Sequence, residues 1–121
     1  MTGTIHVCTG CTHPDRSKRE TGPGGADLKT GLDAIVEEAG LARVLKVAAY
    51  PCLGNCDRRC RMSIAGHDRW SWLFGDIEPD AIPEGLMAFA RKWLAAPDGF
   101  LPKEERPPTI RRLLIGRVPP R

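Results

Sequence analysis

A strand–helix–strand pattern in the first half of the chain most constrains what this sequence can fold into. Residues 4–7 are expected to form a first strand, and residues 43–49 a second, rich in Val, Leu and Ala. Between them Asp27 is expected to cap a helix that ends at Gly40, with one apolar face made by Leu28, Leu32, Ile35, Val36 and Ala39. Such a unit is almost always a right-handed crossover between parallel strands.

The second half of the sequence predicts a hairpin followed by a helix. Residues 61–64 and 69–74 are expected to be two short strands joined by a turn at residues 65–68. Trp70, Trp72 and Phe74 alternate on one face of the second strand, where they are expected to pack in the core or at an edge. A helix is expected over residues 82–96. The order β-α-β-β-β-α indicates an α/β fold with a small mixed sheet.

Length and charge divide the 121-residue chain into a single domain at residues 1–99 and a Pro/Arg-rich extension at residues 100–121. The extension holds six of the basic residues and two of the acidic ones, and is expected to pack on the domain or project from it. It has no aromatic residues interleaved with its basic ones after residue 100, so nucleic acid is not an expected partner. With no apolar run of membrane length and no secretion signal, the expected setting is the cytoplasm.

Four of the five cysteines follow the two strands that should be parallel. Cys8 and Cys11 come after the first strand, and Cys52 and Cys56 come after the second. Because parallel strands end at the same edge of a sheet, these thiols are expected to converge there, where open α/β sheets place their ligands. Cysteines in a reducing compartment favour metal or redox chemistry over structural disulfides. The sequence therefore predicts a thiolate metal site.

The identity of the metal is left open by the spacing. Four thiolates suit either an iron–sulfur cluster or zinc, and the C-x3-C spacing of Cys52 and Cys56 mildly favours the cluster. Thiol–disulfide exchange at Cys8 and Cys11 is the weaker interpretation, since the motif runs into a loop and no activating helix follows directly. Cys60 is either a small buried residue or a further ligand. His13, two residues after Cys11, is the one histidine considered as an alternative ligand.

Several motifs also resemble known families. Cys52-Leu-Gly-Asn-Cys56 is similar to the C-L-G-x-C signature of thioredoxin-like [2Fe–2S] ferredoxins. The chain as a whole resembles a bacterial family of predicted metal-binding proteins, often encoded near cobalamin-biosynthesis genes. The stretches that carry this second resemblance are residues 7–11, 52–56 with Cys60, 72–76, 97–99, 105–107 and 117–120.

The resemblance implies a thioredoxin-like fold and a set of ligands. The ferredoxin pattern falls on Cys8, Cys11, Cys52 and Cys56, but it separates its first pair by four or more residues and this chain by two. Because of that departure, Cys60 is the alternative to Cys11 as the fourth ligand, or else a third residue of a differently arranged site.

Three arginines beside the second cysteine pair are expected to affect the reduction potential of such a site or its binding to a partner. Arg58, Arg59 and Arg61 would raise the reduction potential of an anionic cluster or dock an acidic partner. The implied function is electron transfer without substrate turnover, and the implied partner is a redox protein, either a reductase or an enzyme of cobalamin biosynthesis. The alternatives are a zinc- or cobalt-binding metallochaperone and an interaction module with a structural zinc.

Overall fold

The computed structural model describes residues 2–54 and 58–120. Its strands are β1 (Gly3–Cys8), β2 (Leu45–Tyr50), β3 (Met62–Ala65), β4 (Ser71–Phe74) and β5 (Leu114–Val118). Its α-helices are α1 (Gly25–Glu38) and α2 (Gly85–Ala95), with short 3₁₀ turns at Arg16–Lys18, Lys103–Glu105 and Pro108–Leu113. The predicted order β-α-β-β-β-α is confirmed.

The five strands form one mixed sheet in the order β2-β1-β3-β4-β5. β1 and β2 are parallel, with Cys8 opposite Tyr50 at their carboxyl ends. β3 runs antiparallel to β1 and makes the predicted hairpin with β4. The sheet therefore brings the residues that follow β1 and β2 to the same edge, as the crossover rule requires.

One face of the sheet carries the core. Alternate residues of the inner strands are fully or almost fully buried: Ile5, Val7, Met62, Ile64, Trp72 and Phe74. Both helices contribute to this core, α1 through Leu28, Leu32 and Val36, and α2 through Phe89 and Trp93. The ring of Phe89 meets Trp72 and Phe74 edge to face, at centroid distances of 5.3 and 5.2 Å. Trp72 and Phe74 thus pack in the core, and Trp70, just before β4, is half-buried at its edge.

The start of α1 differs slightly from the expected one. The helix begins at Gly25, and Asp27 lies within its first turn, where its carboxylate accepts a hydrogen bond from the Gly24 amide at 2.8 Å. The Asp27 side chain, within the first turn, therefore provides the hydrogen-bond acceptor for the backbone amide of the N-cap residue Gly24. Gly40, with a φ of 74°, follows the helix in the left-handed conformation that suits glycine.

The C-terminal extension is part of the sheet and the core. Residues 114–118 form β5, which pairs antiparallel with β4, and Leu101, Ile110 and Leu113 are buried. Arg117 lies 5.8 Å from the ring of Trp72, and Arg106 lies 5.0 Å from it. The basic side chains of this segment thus cover aromatic surface.

No helix among the described residues is long and apolar enough to cross a membrane.

Candidate metal centre

A cavity of about 190 Å³ lies at the sheet edge where β1 and β2 end. Three of the residues that line it are cysteines: Cys8, Cys11 and Cys52. The rest of its wall is formed by Gly10, Thr12, Pro51 and Arg59. The structure thus brings together thiols from two loops that are about 40 residues apart in the chain. Cys56 lies outside the described residues.

The first cysteine pair is tightly arranged. Cys8 is buried at the end of β1, and its Sγ lies 2.9 Å from the Sγ of Cys11. Burial opposes ionisation of Cys8, but hydrogen bonds from the Cys11 thiol and the amides of Leu53, Gly10 and Cys11 outweigh it and lower its pKa. Burial, reinforced by Cys8, raises the pKa of Cys11 to about 12. A metal that binds Cys11 must therefore displace its proton.

The loop after β2 presents Cys52 to solvent. Cys52 is exposed, and its Sγ accepts a hydrogen bond from the Gly54 amide at 3.3 Å. Gly54 has a φ of 79°, a left-handed conformation that favours glycine. Amides directed at cysteine sulfurs on both loops are a feature of thiolate centres, where they stabilise negative charge.

Cys60 is placed differently from the other described cysteines. It is fully buried, it does not line the cavity, and its Sγ donates to the carbonyl of Thr12 at 3.3 Å. Its backbone exchanges two hydrogen bonds with Ile77, each 3.2 Å long. Burial raises the pKa of Cys60 to about 11. The thiol therefore lies beneath the loop that carries Cys11, and it is protonated near neutral pH.

The packing of α1 corrects one sequence expectation. The Cys8–Cys11 motif does continue into a loop, but that loop returns, and the first turn of α1 packs against the motif. The Gly25 amide donates to the Cys11 carbonyl at 2.7 Å, and a Cβ on Gly25 would lie 1.9 Å from the Cys8 carbonyl oxygen. The glycine pair at residues 24–25 was the available sequence signal for this approach, and sequence reasoning missed it.

His13 is not positioned as a ligand. Its Nδ1 accepts a hydrogen bond from the Asp15 amide at 2.9 Å, which leaves the proton on Nε2 to be donated to Asp80 at 2.9 Å. Both ring nitrogens are thus occupied, and the ring is fully buried. The hydrogen bond from His13 is the main reason that the pKa of Asp80 is lowered to about 2. His13 anchors the loop after Cys11, and Asp80 was not anticipated from the sequence.

The side chains of the three arginines beside the second cysteine pair contact three different parts of the structure. Arg58 pairs with Asp76 at 2.6 Å and donates to the carbonyl of Arg112 at 3.2 Å, so it ties the site to the C-terminal extension. Arg59 lines the cavity and donates to the Thr12 hydroxyl at 3.1 Å. Arg61 is buried, and its Nη1 donates to the Gly54 carbonyl at 2.6 Å.

Within residues 2–54 and 58–120, no three His, Cys, Asp or Glu side chains are gathered as ligands of a single ion. Two observations nevertheless fit a thiolate-bound metal group. The donors that line the cavity are thiols that accept backbone amides, and the Nε of Arg61 is buried with no hydrogen-bond partner in the described part of the chain. This buried cation bonds to the Gly54 carbonyl, on the loop that carries Cys52, and a nearby negative charge would compensate it.

The fold and the position of this cavity define the class: a small α/β protein with a thioredoxin-like fold. The chain belongs to the family described as "Protein of unknown function (DUF1636)", which matches residues 5–120. No curated protein matches the chain in sequence.

Solved structures similar to this chain include a thioredoxin-like [2Fe–2S] ferredoxin from Aquifex aeolicus. The identity is 14%, the TM-score is 0.59, and the match covers 98% of this chain and 94% of that one. The wild-type form of the ferredoxin, solved at 1.5 Å resolution, matches with 16% identity and a TM-score of 0.58, covering 95% and 97% of the two chains. At these identities the likeness establishes the fold, which confirms the expected architecture.

Proposed function

We propose that this protein is a ferredoxin-like electron carrier that holds one [2Fe–2S] cluster at the cavity, with Cys8, Cys11, Cys52 and Cys56 as ligands. The observation that carries the proposal is that Cys8, Cys11 and Cys52 line one cavity at the carboxyl ends of β1 and β2. The place of Cys56 in the ligand set rests on its spacing from Cys52. The fold shared with [2Fe–2S] ferredoxins supports the choice of cluster.

Cys11 is preferred to Cys60 as the fourth ligand because of where the two thiols lie. Cys11 lines the cavity and touches Cys8, whereas Cys60 is fully buried and its thiol is bonded to the Thr12 carbonyl. To act as a ligand, Cys60 would have to give up that bond and its hydrogen bond with the Cys11 thiol. We assign Cys60 to the packing beneath the site.

The chain's own groups would prepare the site for single-electron transfer, the chemistry that the cluster supplies when bound. The amides of Gly54, Leu53 and Gly10 point at Cys52 and Cys8, where they stabilise added negative charge. The exposure of Cys52 leaves one side of the site open to a partner. In this role the protein acts in the cytoplasm as a carrier for a redox enzyme and turns over no substrate itself. A reductase or an enzyme of cobalamin biosynthesis is the partner that the family resemblance suggests.

The decisive experiment is the visible spectrum of anaerobically purified protein, with iron, sulfide and zinc counted on the same sample. We expect a coloured protein that bleaches with dithionite and holds about two iron and two sulfide per chain, the content of one [2Fe–2S] cluster. A colourless protein with one tightly bound zinc, and no iron after reconstitution, would replace the proposal with a structural zinc module. Exchangeable zinc or cobalt would point to a metallochaperone.

The ligand assignment is tested by a matched pair of variants, Cys11→Ala and Cys60→Ala. Both remove one buried thiol, but only the first removes a thiol that lines the cavity. We expect Cys11→Ala to lose iron or change its visible and EPR spectra, and Cys60→Ala to keep both as in the wild type. The opposite result would make Cys60 the fourth ligand.

A further inference from the structure

Arg61 contacts every described segment that brings a thiol to the cavity. Its backbone carbonyl accepts a hydrogen bond from the Cys8 amide at 3.1 Å. A hydrogen bond from its own amide lowers the pKa of Cys11, although burial raises that pKa by more. Its side chain reaches the loop after β2, where Nη1 donates to the Gly54 carbonyl at 2.6 Å. The residue therefore joins β3 to both loops.

The guanidinium of Arg61 is buried, and the described part of the chain offers it no compensating anion. Only 5% of the residue is exposed. Within residues 2–54 and 58–120 its Nε has no hydrogen-bond partner and no carboxylate pairs with it. Burying an unpaired charge is among the costliest arrangements in a folded protein. The guanidinium bonds to the carbonyl of Gly54, and the amide of the same residue bonds to the Cys52 sulfur. A metal centre that ionises Cys52 would therefore place negative charge on the loop that Arg61 holds.

We infer that Arg61 is the built-in countercharge of the thiolate centre: a positioning residue that holds the Gly54 loop and raises the reduction potential of the bound group. This inference rests on the proposed function. It assigns to Arg61 alone the increase in reduction potential that the sequence predicts for Arg58, Arg59 and Arg61 together. An oxidised four-thiolate [2Fe–2S] centre carries a net negative charge, and reduction adds another electron. A fixed positive charge therefore stabilises the reduced form more than the oxidised one.

The surroundings of the other two arginines separate them from this role. Arg58 is neutralised by Asp76 at 2.6 Å and lies partly in solvent, where its charge is screened. Arg59 bonds to the Thr12 hydroxyl at the cavity wall, and its charge acts on the buried Cys60 thiol. Its side chain is only half-buried, so solvent screens part of that charge. Arg61 alone of the three is buried. The apoprotein should therefore be strained electrostatically at Arg61 in a way that loading relieves.

The test compares Arg61→Met and Arg61→Lys, with Arg58→Met as the matched surface control. Methionine keeps much of the length but removes the charge, while lysine keeps the charge and loses the planar fork. The reduction potential of each loaded protein is measured by redox titration, after the wild type has been shown to hold its cluster. The melting temperature of each apoprotein under reductant provides a second, independent reading.

We expect the ratio of reduced to oxidised cluster at a fixed potential to fall at least tenfold in Arg61→Met, which is a shift of about 59 mV for one electron. Arg61→Lys should stay within about threefold of the wild type, and Arg58→Met should match it. The Arg61→Met apoprotein should melt no lower than the wild-type apoprotein, since an uncompensated buried charge has been removed.

Other results would overturn the inference. An unchanged reduction potential in Arg61→Met would show that the charge of Arg61 does not act on the cluster. An equal shift in Arg61→Lys would show that the planar shape of the guanidinium, and not its charge, determines the potential. If Arg61→Met retains no cluster, the melting temperature of its apoprotein distinguishes the two roles. Melting at or above the wild-type temperature, together with normal cluster loading of Arg61→Lys, supports the countercharge. Melting below the wild-type temperature indicates a purely structural role. A wild type that takes up no iron refutes the proposed function itself.

Discussion

Replacement of Gly25 by alanine should separate α1 from the first cysteine loop. A Cβ at this position would lie 1.9 Å from the carbonyl oxygen of Cys8 and 2.9 Å from the Cα of Thr9. Both are backbone atoms, so neither can rotate away as a side chain would. Relief requires a shift of the helix start or of the end of β1, and either shift disturbs the hydrogen bond from the Gly25 amide to the Cys11 carbonyl.

The expected cost follows from two opposing effects. Forcing an extra carbon into a packed region costs about 1–3 kcal/mol, and occasionally more, whereas alanine gains at most about 1 kcal/mol over glycine in a helix. Because the contact is far inside van der Waals distance, the upper end of the cost applies, and the net loss is about 2 kcal/mol. For a domain of this size that lowers the melting temperature by about 6–12 °C.

The assay is thermal unfolding of the apoprotein under reductant, followed by iron content after reconstitution. Gly31→Ala, in the same helix, is the matched control, since its Cβ would meet only the terminal methyl of Ile82, at 2.7 Å. A side-chain methyl can move, so this control should melt at or slightly above the wild-type temperature. The predicted clash at Gly25 is ruled out if Gly25→Ala melts and loads iron like the wild type, or if the melting temperatures of both variants fall equally.

Three further predictions concern stability away from the cavity. Gly40→Ala should cost about 1–2 kcal/mol in urea unfolding through its left-handed φ of 74° alone, because nothing lies within 4 Å of the added carbon. Leu113→Ala should cost about 2–5 kcal/mol because this residue is buried, while exposed Arg112→Ala should change stability by less than about 0.5 kcal/mol. The pKa of Asp80 is lowered to about 2, mainly by the hydrogen bond from His13, so the stability that this carboxylate adds is present above about pH 4 and lost toward pH 2. The melting temperature should therefore fall less over that range in Asp80→Ala than in the wild type; equal falls would contradict this.

The sequence was sufficient for the elements that depend on periodic apolar residues. α1 and β2 could be predicted because a helical stripe and a buried apolar run are unambiguous, and the crossover rule then placed the cysteine loops at one edge. β5 could not, because its apolar residues Leu114 and Ile115 stand among arginines and prolines, which indicate an exposed segment. Its pairing with β4 is a tertiary effect that local pattern does not reveal.

The candidate site was predictable in its location but not in its electrostatics. Topology alone brought Cys8, Cys11 and Cys52 to one cavity. The burial of Arg61 and His13 was not foreseeable, since arginine and histidine near a loop are usually exposed. Each is buried because a group on another segment satisfies part of it: the Gly54 carbonyl, seven residues away, for Arg61, and Asp80, 67 residues away, for His13. Such pairings depend on loop paths, and no local rule gives them.

The position of β1 in the sheet has a kinetic consequence. β1 lies between β2 and β3, and its pairing with β3 joins residues as far apart as Thr4 and Ala65. Pairings between such distant segments form slowly, because a long loop must close before any contact stabilises it. Until they form, the thiols of Cys8 and Cys11, which are neighbours in the chain, are accessible to oxidants. Recovery of native protein from denaturant should therefore depend on the reductant present during the slow phase as much as on the final conditions.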